Sequence, residues 1–171
     1  MADANLLVTY DPAHPGKAKE EVENNLKTIA AKAEFLKSGV DGLFQLKAVK
    51  PKEVVKKLIA LCKKKPKSFE VTFHYVPIDE WVKADVKAMQ KVTEKLGKQI
   101  TPAEKWKLNL NKRKFEVDTR ELITKLTEPI ERPKVDLSNP DMIVQVEIVG
   151  KQAGISLLAK DELLEVSKIK G

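Results

Sequence analysis

The sequence predicts an α+β protein of two small domains, and three observations carry that prediction. Apolar residues alternate with period two in several short runs. Between those runs they recur at helical spacing. A proline-marked break at Tyr75–Ile78 separates one such series from the next. With 171 residues, 42% of them hydrophobic, the chain can bury one core or two small ones.

Leu6–Tyr10 is a short apolar run closed by Asp11-Pro12 and Pro15-Gly16, which predicts a buried strand and a turn. From Lys17 the period changes: Ala18, Val22, Leu26, Ile29 and Ala33 share one face of a helix. Leu43–Val49 follows Gly39 and Gly42 as a second strand, with room for a short extra strand near Phe35. Pro51 opens a helix whose stripe is Val54, Val55, Leu58, Leu61 and Cys62, and Pro66 stops it. Phe69, Val71, Phe73 and Tyr75 alternate with polar residues as a strand. That order suits a small ferredoxin-like sandwich over residues 1–76.

Pro77 opens the second series. Ile78, Val82, Val86, Met89, Val92 and Leu96 predict one long amphipathic helix ending near Gly97. Trp106–Asn111 alternates as a strand, Asp118 and Glu121 are spaced as a capping pair ahead of another helix, and Met142–Val149 and Ile155–Leu158 are strands around a Gly150–Gly154 turn.

The charge balance of +7 favours an anionic partner, nucleic acid before an acidic membrane surface. Arg113, Arg120 and Arg132 are the three arginines among 32 basic residues, so any bidentate grip on phosphate belongs to the second half. One cysteine, Cys62, excludes an internal disulfide and suits a reducing compartment. No run reaches the roughly 18 apolar residues of a membrane helix, so a soluble, cytoplasmic protein with no membrane partner is expected.

Trp106–Arg113 followed by a helix carrying Glu121-Leu122-Ile123 resembles a THUMP domain. The runs Val135–Asp141, Val144–Ile148 and Ala153–Leu157 continue the likeness. The resemblance implies a ferredoxin-like N-terminal domain followed by a THUMP domain over 77–171, and a protein that binds tRNA by its acceptor end. Length and arrangement are similar to stand-alone members that assist tRNA cytidine acetyltransferase in making N4-acetylcytidine. A non-catalytic adaptor with no cofactor is therefore the expectation. A small RNA-modifying enzyme with an unrecognised site, or a general RNA-binding protein, stands as the alternative.

The candidate RNA-binding residues are Lys107, Asn109, Asn111, Lys112, Arg113, Lys114, Lys151, Gly154 and Ser156. On a strand from Trp106, the polar set points to one face and the apolar set to the core, which would leave cations and amides free for phosphates and 2′-hydroxyls. The glycines of the Gly150–Gly154 turn would admit a phosphate or chain end, and an ordinary hairpin turn explains them equally well. A second basic cluster runs from Lys50 to Lys67; it reads as a solvated helix exterior or as an extension of the RNA track. Trp81, Trp106 and Cys62 read as core. An acyl-phosphate hydrolase on the first fold would want an arginine cradle after the first strand, and Asp11–Lys17 has no arginine. No zinc set or nucleotide-binding glycine motif is present in the sequence.

Overall fold

The computed structural model describes residues 3–171 and divides the chain into two compact units. The first runs up to Ile78 and takes in Asp161–Gly171; the second is Asp79–Lys160.

In the first unit, β1 (Leu6–Tyr10), α1 (Pro15–Thr28), β2 (Ala33–Leu36), β3 (Leu43–Ala48), α2 (Pro51–Lys64) and β4 (Thr72–Pro77) follow in order. The sheet order is β2-β3-β1-β4, antiparallel throughout. Both helices open on a proline, whose fixed φ and missing N–H fit a first turn. Their apolar stripes, Val22 and Leu26 on α1 and Val55, Leu58 and Cys62 on α2, meet Leu6, Val8, Leu46 and Tyr75 in one core. Gly42 sits at φ +79°, where a side chain would also meet the Tyr10 carbonyl at 3.3 Å.

Three features depart from the pattern. The first helix ends at Thr28, so Ala33, expected on its apolar face, opens β2 instead. The expected alternation from Phe69 to Tyr75 breaks because the register between β1 and β4 shifts at Thr9/Tyr10. Phe73 is the extra residue on β4 and is turned out, 42% exposed, as a β-bulge does. The last residues, expected to belong to the second domain, instead add β9 (Leu164–Glu165) alongside β4, followed by a short helix Val166–Lys170. Leu164 and Val166 are buried in the first core, which is why the segment packs there.

A carboxylate fastens α1 to the sheet. Glu21 accepts from the backbone N–H groups of Glu70, Val71 and Thr72 at 2.7, 3.2 and 2.9 Å, and from the Thr72 hydroxyl.

In the second unit, β5 (Glu80–Lys83), α3 (Val86–Gly97), β6 (Trp106–Arg113), α4 (Thr119–Thr127), β7 (Met142–Val149) and β8 (Gln152–Ala159) form a sheet of order β5-β8-β7-β6. Strands β6 and β7 are parallel; the other neighbours are antiparallel. The long helix expected from Ile78 is therefore two elements. Residues 80–83 pair with β8, and the helix begins only after Asp85, whose side chain accepts from Ala88 N–H as an N-cap. Asp118 caps α4 in the same way through Glu121 N–H at 3.0 Å, as its spacing predicts. One face of the sheet carries Trp106, Leu108, Val144, Val146, Ile155 and Leu157 against Met89, Val92 and Leu96 of α3 and Leu122 and Leu126 of α4.

Among the described residues no helix is long and apolar enough to cross a membrane, and no group of three or more His, Cys, Asp and Glu is placed to hold a metal ion.

Replacing Glu21 with alanine strands three backbone donors and a hydroxyl. It is expected to lower unfolding free energy by about 2–3 kcal/mol, measured as a drop in urea midpoint at unchanged m-value.

Candidate nucleic-acid interface

The second face of the β5-β8-β7-β6 sheet points away from α3 and α4. Strand register places Lys107, Asn109, Asn111 and Arg113 of β6 there, beside Ile143, Gln145, Glu147 and Val149 of β7. Gly154 and Ser156 of β8 lie across from Glu147 and Gln145.

The expectation that the β6 polar set is left free needs correction. Asn109 donates an amide N–H to Gln145 Oε1 at 3.0 Å, and Gln145 donates on to Glu147 Oε2 at 2.6 Å. Asn111 donates to the same Glu147 oxygen at 2.8 Å, and Arg113 donates to Glu147 Oε1 at 3.0 Å. The cause is Glu147, a carboxylate with no solvent exposure in the middle of β7. A buried charge must be paired and hydrogen-bonded, and β6 supplies the donors. The polar stripe is a ladder across the parallel pair.

Other candidates divide similarly. Lys112 is exposed but its Nζ donates to the Val117 carbonyl, pinning the loop before α4. Gly154 is buried opposite Trp81, and Ser156 is buried with its Oγ accepting from Asp79 N–H at 3.0 Å. Neither presents a group to solvent. Lys107, Lys114 and Lys151 remain accessible in whole or part, Lys114 with an interaction of its own.

Topology brings a different set together. Strands β5, β6 and β7 run in one direction, so Lys83, Arg113 and Val149 end in a row with Gln152, the first residue of β8. The turn at Gly150-Lys151 closes on this edge: Gly150 N–H donates to the Arg113 carbonyl at 2.8 Å, and Ala84 N–H to the Lys151 carbonyl at 2.9 Å. Gly150 adopts φ +60°, which its missing side chain permits. Both β5 and β6 lead by short loops into helices, so the N-termini of α3 and α4 open at the same end.

At that end stand Lys83, Lys87, Lys114, Arg120 and Lys151, all exposed. Lys87 and Arg120 lie in the first turns of α3 and α4, where the helix macrodipole disfavours a cation. Each N-terminus is already capped by a carboxylate, Asp85 or Asp118, so what this edge offers an anion is its five exposed cations.

The arginines separate cleanly. Arg113 is tied to Glu147, and Arg132 donates to the carbonyls of Ile100, Glu131 and Lys98 while its own carbonyl accepts from Trp106 Nε1. Arg120 has no side-chain partner among the described residues, so it is the arginine available for bidentate contact. Of the cations at this end, Lys114 and Lys151 are among the sequence-based candidates, Arg120 was singled out only as one of three arginines, and Lys83 and Lys87 were not singled out. Lys87 and Arg120 each lie just past an N-cap, a signal present in the sequence, but the cap before Lys87 was hidden inside a supposed continuous helix.

Of the three residues expected in the core, Trp106 and Cys62 are there, whereas Trp81 is half-buried across from Gly154 on the second face of the sheet. Trp106 is 3% exposed, Cys62 is fully buried, and burial pushes the Cys62 thiol above its usual range, partly offset by Lys170. His74 is tied to Thr9 through Nδ1 at 2.9 Å.

The sheet, its helices and the residues between them match a known domain: residues 52–158 fit the THUMP domain. The chain belongs to the THUMP-domain family. The match begins in α2 and ends in β8, so it spans part of the first unit as well as the second. Among solved structures, the Pyrococcus horikoshii protein PH1313 superposes at TM-score 0.59 and 19% identity, covering 91% of this chain and 55% of that one. Thermus thermophilus TrmN superposes at 0.56 and 16% identity, covering 89% and 44%. A 4-thiouridine synthetase, solved with RNA and bound ATP, superposes at 0.50 and 16% identity, covering 95% and 42%. The chain thus spans about half the length of these proteins. No curated protein sequence matches it.

Replacing Glu147 with alanine would leave Gln145, Asn111 and Arg113 without their acceptor. The expected loss is about 3–5 kcal/mol, read by chemical denaturation; a variant as stable as the parent would show that the ladder does not hold β6 to β7.

Proposed function

We propose that the chain binds tRNA at the cationic edge of its second unit and presents it to a separate modifying enzyme, the acetyltransferase that makes N4-acetylcytidine. The observation that carries the RNA-binding part is the convergence of Lys83, Lys87, Lys114, Arg120 and Lys151 at the end of the sheet where β5, β6 and β7 all terminate. Membership in the THUMP family supports the same reading, as does the likeness in fold to a 4-thiouridine synthetase solved with RNA. A row of cations suits an RNA phosphate backbone, and it needs no base-specific partner. The tRNA acceptor end is the part of the molecule we assign to this edge, by the family resemblance.

The adaptor role and the absence of catalysis by this chain rest on the resemblance to stand-alone THUMP proteins, and the cytoplasmic placement we assign rests on the single cysteine of the sequence. We also read the first unit as ferredoxin-like, supported by its β1-α1-β2-β3-α2-β4 order and its antiparallel β2-β3-β1-β4 sheet.

Two experiments test this function. Alanine at Lys83, Arg120 and Lys151 together should shrink the salt dependence of tRNA binding by about two in log–log slope, at roughly 0.7–0.9 per phosphate contact. Alanine at Asn109 should cost stability and leave that slope unchanged. Anisotropy titrations over a range of potassium chloride read both; an unaltered slope in the triple variant would remove the edge from the binding site. Incubating the protein alone with tRNA and acetyl-CoA, or with S-adenosylmethionine, should leave the RNA unmodified, with N4-acetylcytidine appearing only when the acetyltransferase is added. Product made by the chain alone would replace the adaptor with an enzyme, and equal affinity for unrelated duplex RNA would replace it with a general RNA binder.

A further inference from the structure

Eight lysines lie between Lys50 and Lys67, and the structure sorts them. Lys56 is committed, its Nζ 3.5 Å from Glu53 and 3.7 Å from Glu162, and Lys52 has an interaction of its own. Lys63, Lys64, Lys65 and Lys67 are different. All four are exposed, and among the described residues none has a carboxylate within ion-pair distance.

A cation in the last turn of a helix is ordinary, because it meets the negative end of the macrodipole. That accounts for Lys63 and Lys64, the final residues of α2. It does not account for Lys65 and Lys67, which lie beyond the helix. A single 3-10 turn at Pro66–Ser68 fixes both, with Ser68 N–H donating to the Lys65 carbonyl at 3.0 Å and Phe69 N–H to the Pro66 carbonyl at 3.1 Å. Lys170 joins them by donating to the Phe69 carbonyl at 2.9 Å. Lys67 shares a groove with Glu20, Glu21 and Glu70, and Glu70 is already engaged by Lys17 at 3.0 Å. That contact, with Lys170 and Lys67 adding to it, holds the Glu70 carboxyl below its usual range. Of the carboxylates beside Lys67, Glu21 and Glu70 are already engaged by other donors, and Lys63, Lys64 and Lys65 have no carboxylate within ion-pair distance among the described residues.

We propose that this tip of the first unit, formed by Lys63, Lys64, Lys65, Lys67 and Lys170, is a second contact for an RNA phosphate backbone, separate from the edge of the second unit. The inference rests on the reading that the chain binds RNA. Lysine, a compact and flexible point charge, suits phosphates met in no fixed geometry, where a bidentate base contact would want arginine. A membrane surface is the other polyanion to weigh. Binding there asks for apolar side chains beside the cations, and the exposed large apolar residues are Val49, Phe73, Val135 and Leu137, none within the Lys63–Lys67 run.

The test uses the full chain with lysines 63, 65 and 67 changed together to alanine, the same three changed to arginine, and an unmodified tRNA transcript as probe. All three side chains are exposed, so circular dichroism should be unchanged. The alanine variant should lose about two units of salt slope and about tenfold in affinity at low salt, and the arginine variant should keep both. If the parent binds tRNA and the alanine variant matches it in slope and affinity, the tip is not an RNA contact and the edge assignment stands. If the parent does not bind tRNA, both assignments fall. If the alanine variant keeps RNA binding but loses binding to phosphatidylserine vesicles that the parent shows, the tip serves a membrane and the inference is overturned.

Discussion

The second unit depends on one buried carboxylate. Glu147 stands in the central part of β7 with no access to water, and an ionised group there is tolerable only with donors on its oxygens. Asn111, Arg113 and Gln145 provide them, and Asn109 supports Gln145 in turn. Because three of these five residues come from β6, the same contacts fix the register of the parallel pair, where a one-residue slip would carry every donor to the opposite face. The ladder also fixes where β6 ends, at Arg113, and so where the chain turns toward α4.

That placement decides what the edge can offer. Three strands running in one direction put their last residues together, and the loops that follow deliver two helix N-termini to the same end. In open sheets with parallel strands, the carboxyl ends of the strands are the usual place for a ligand, because loops there are free to vary while the sheet stays rigid. The cations at this edge come from five places in the chain: the end of β5, the first turn of α3, the loop after β6, the first turn of α4 and the β7–β8 turn. No continuous stretch of sequence contains them.

This explains what could be read from the sequence. Strands such as Leu6–Tyr10 and Met142–Val149 and the helices behind Pro51 and Asp118 follow from period and punctuation. The Ile78–Val86 region misled because Ile78, Val82 and Val86 fall at helical spacing, while pairing with β8 and the Asp85 cap decide otherwise. The polar face of β6 was legible as a face; its partners were not. A Glu in an apolar strand such as Val144–Val149 is a clue that a buried charge awaits donors, yet only register shows which residues supply them. The C-terminal strand was missed because two residues, Leu164 and Glu165, are too few to show a period.

The route of the chain has its own consequence. The second unit is entered at Asp79 and left at Lys160, and its first and last strands are direct neighbours, with Leu157 N–H donating to Asp79 Oδ2 at 3.0 Å. Its two ends therefore emerge side by side, the arrangement of a module spliced into the loop of a host. Evolution or an engineer can lengthen, exchange or transplant such a module without reopening the host's core, since the segment returning after Lys160 completes the first unit by itself.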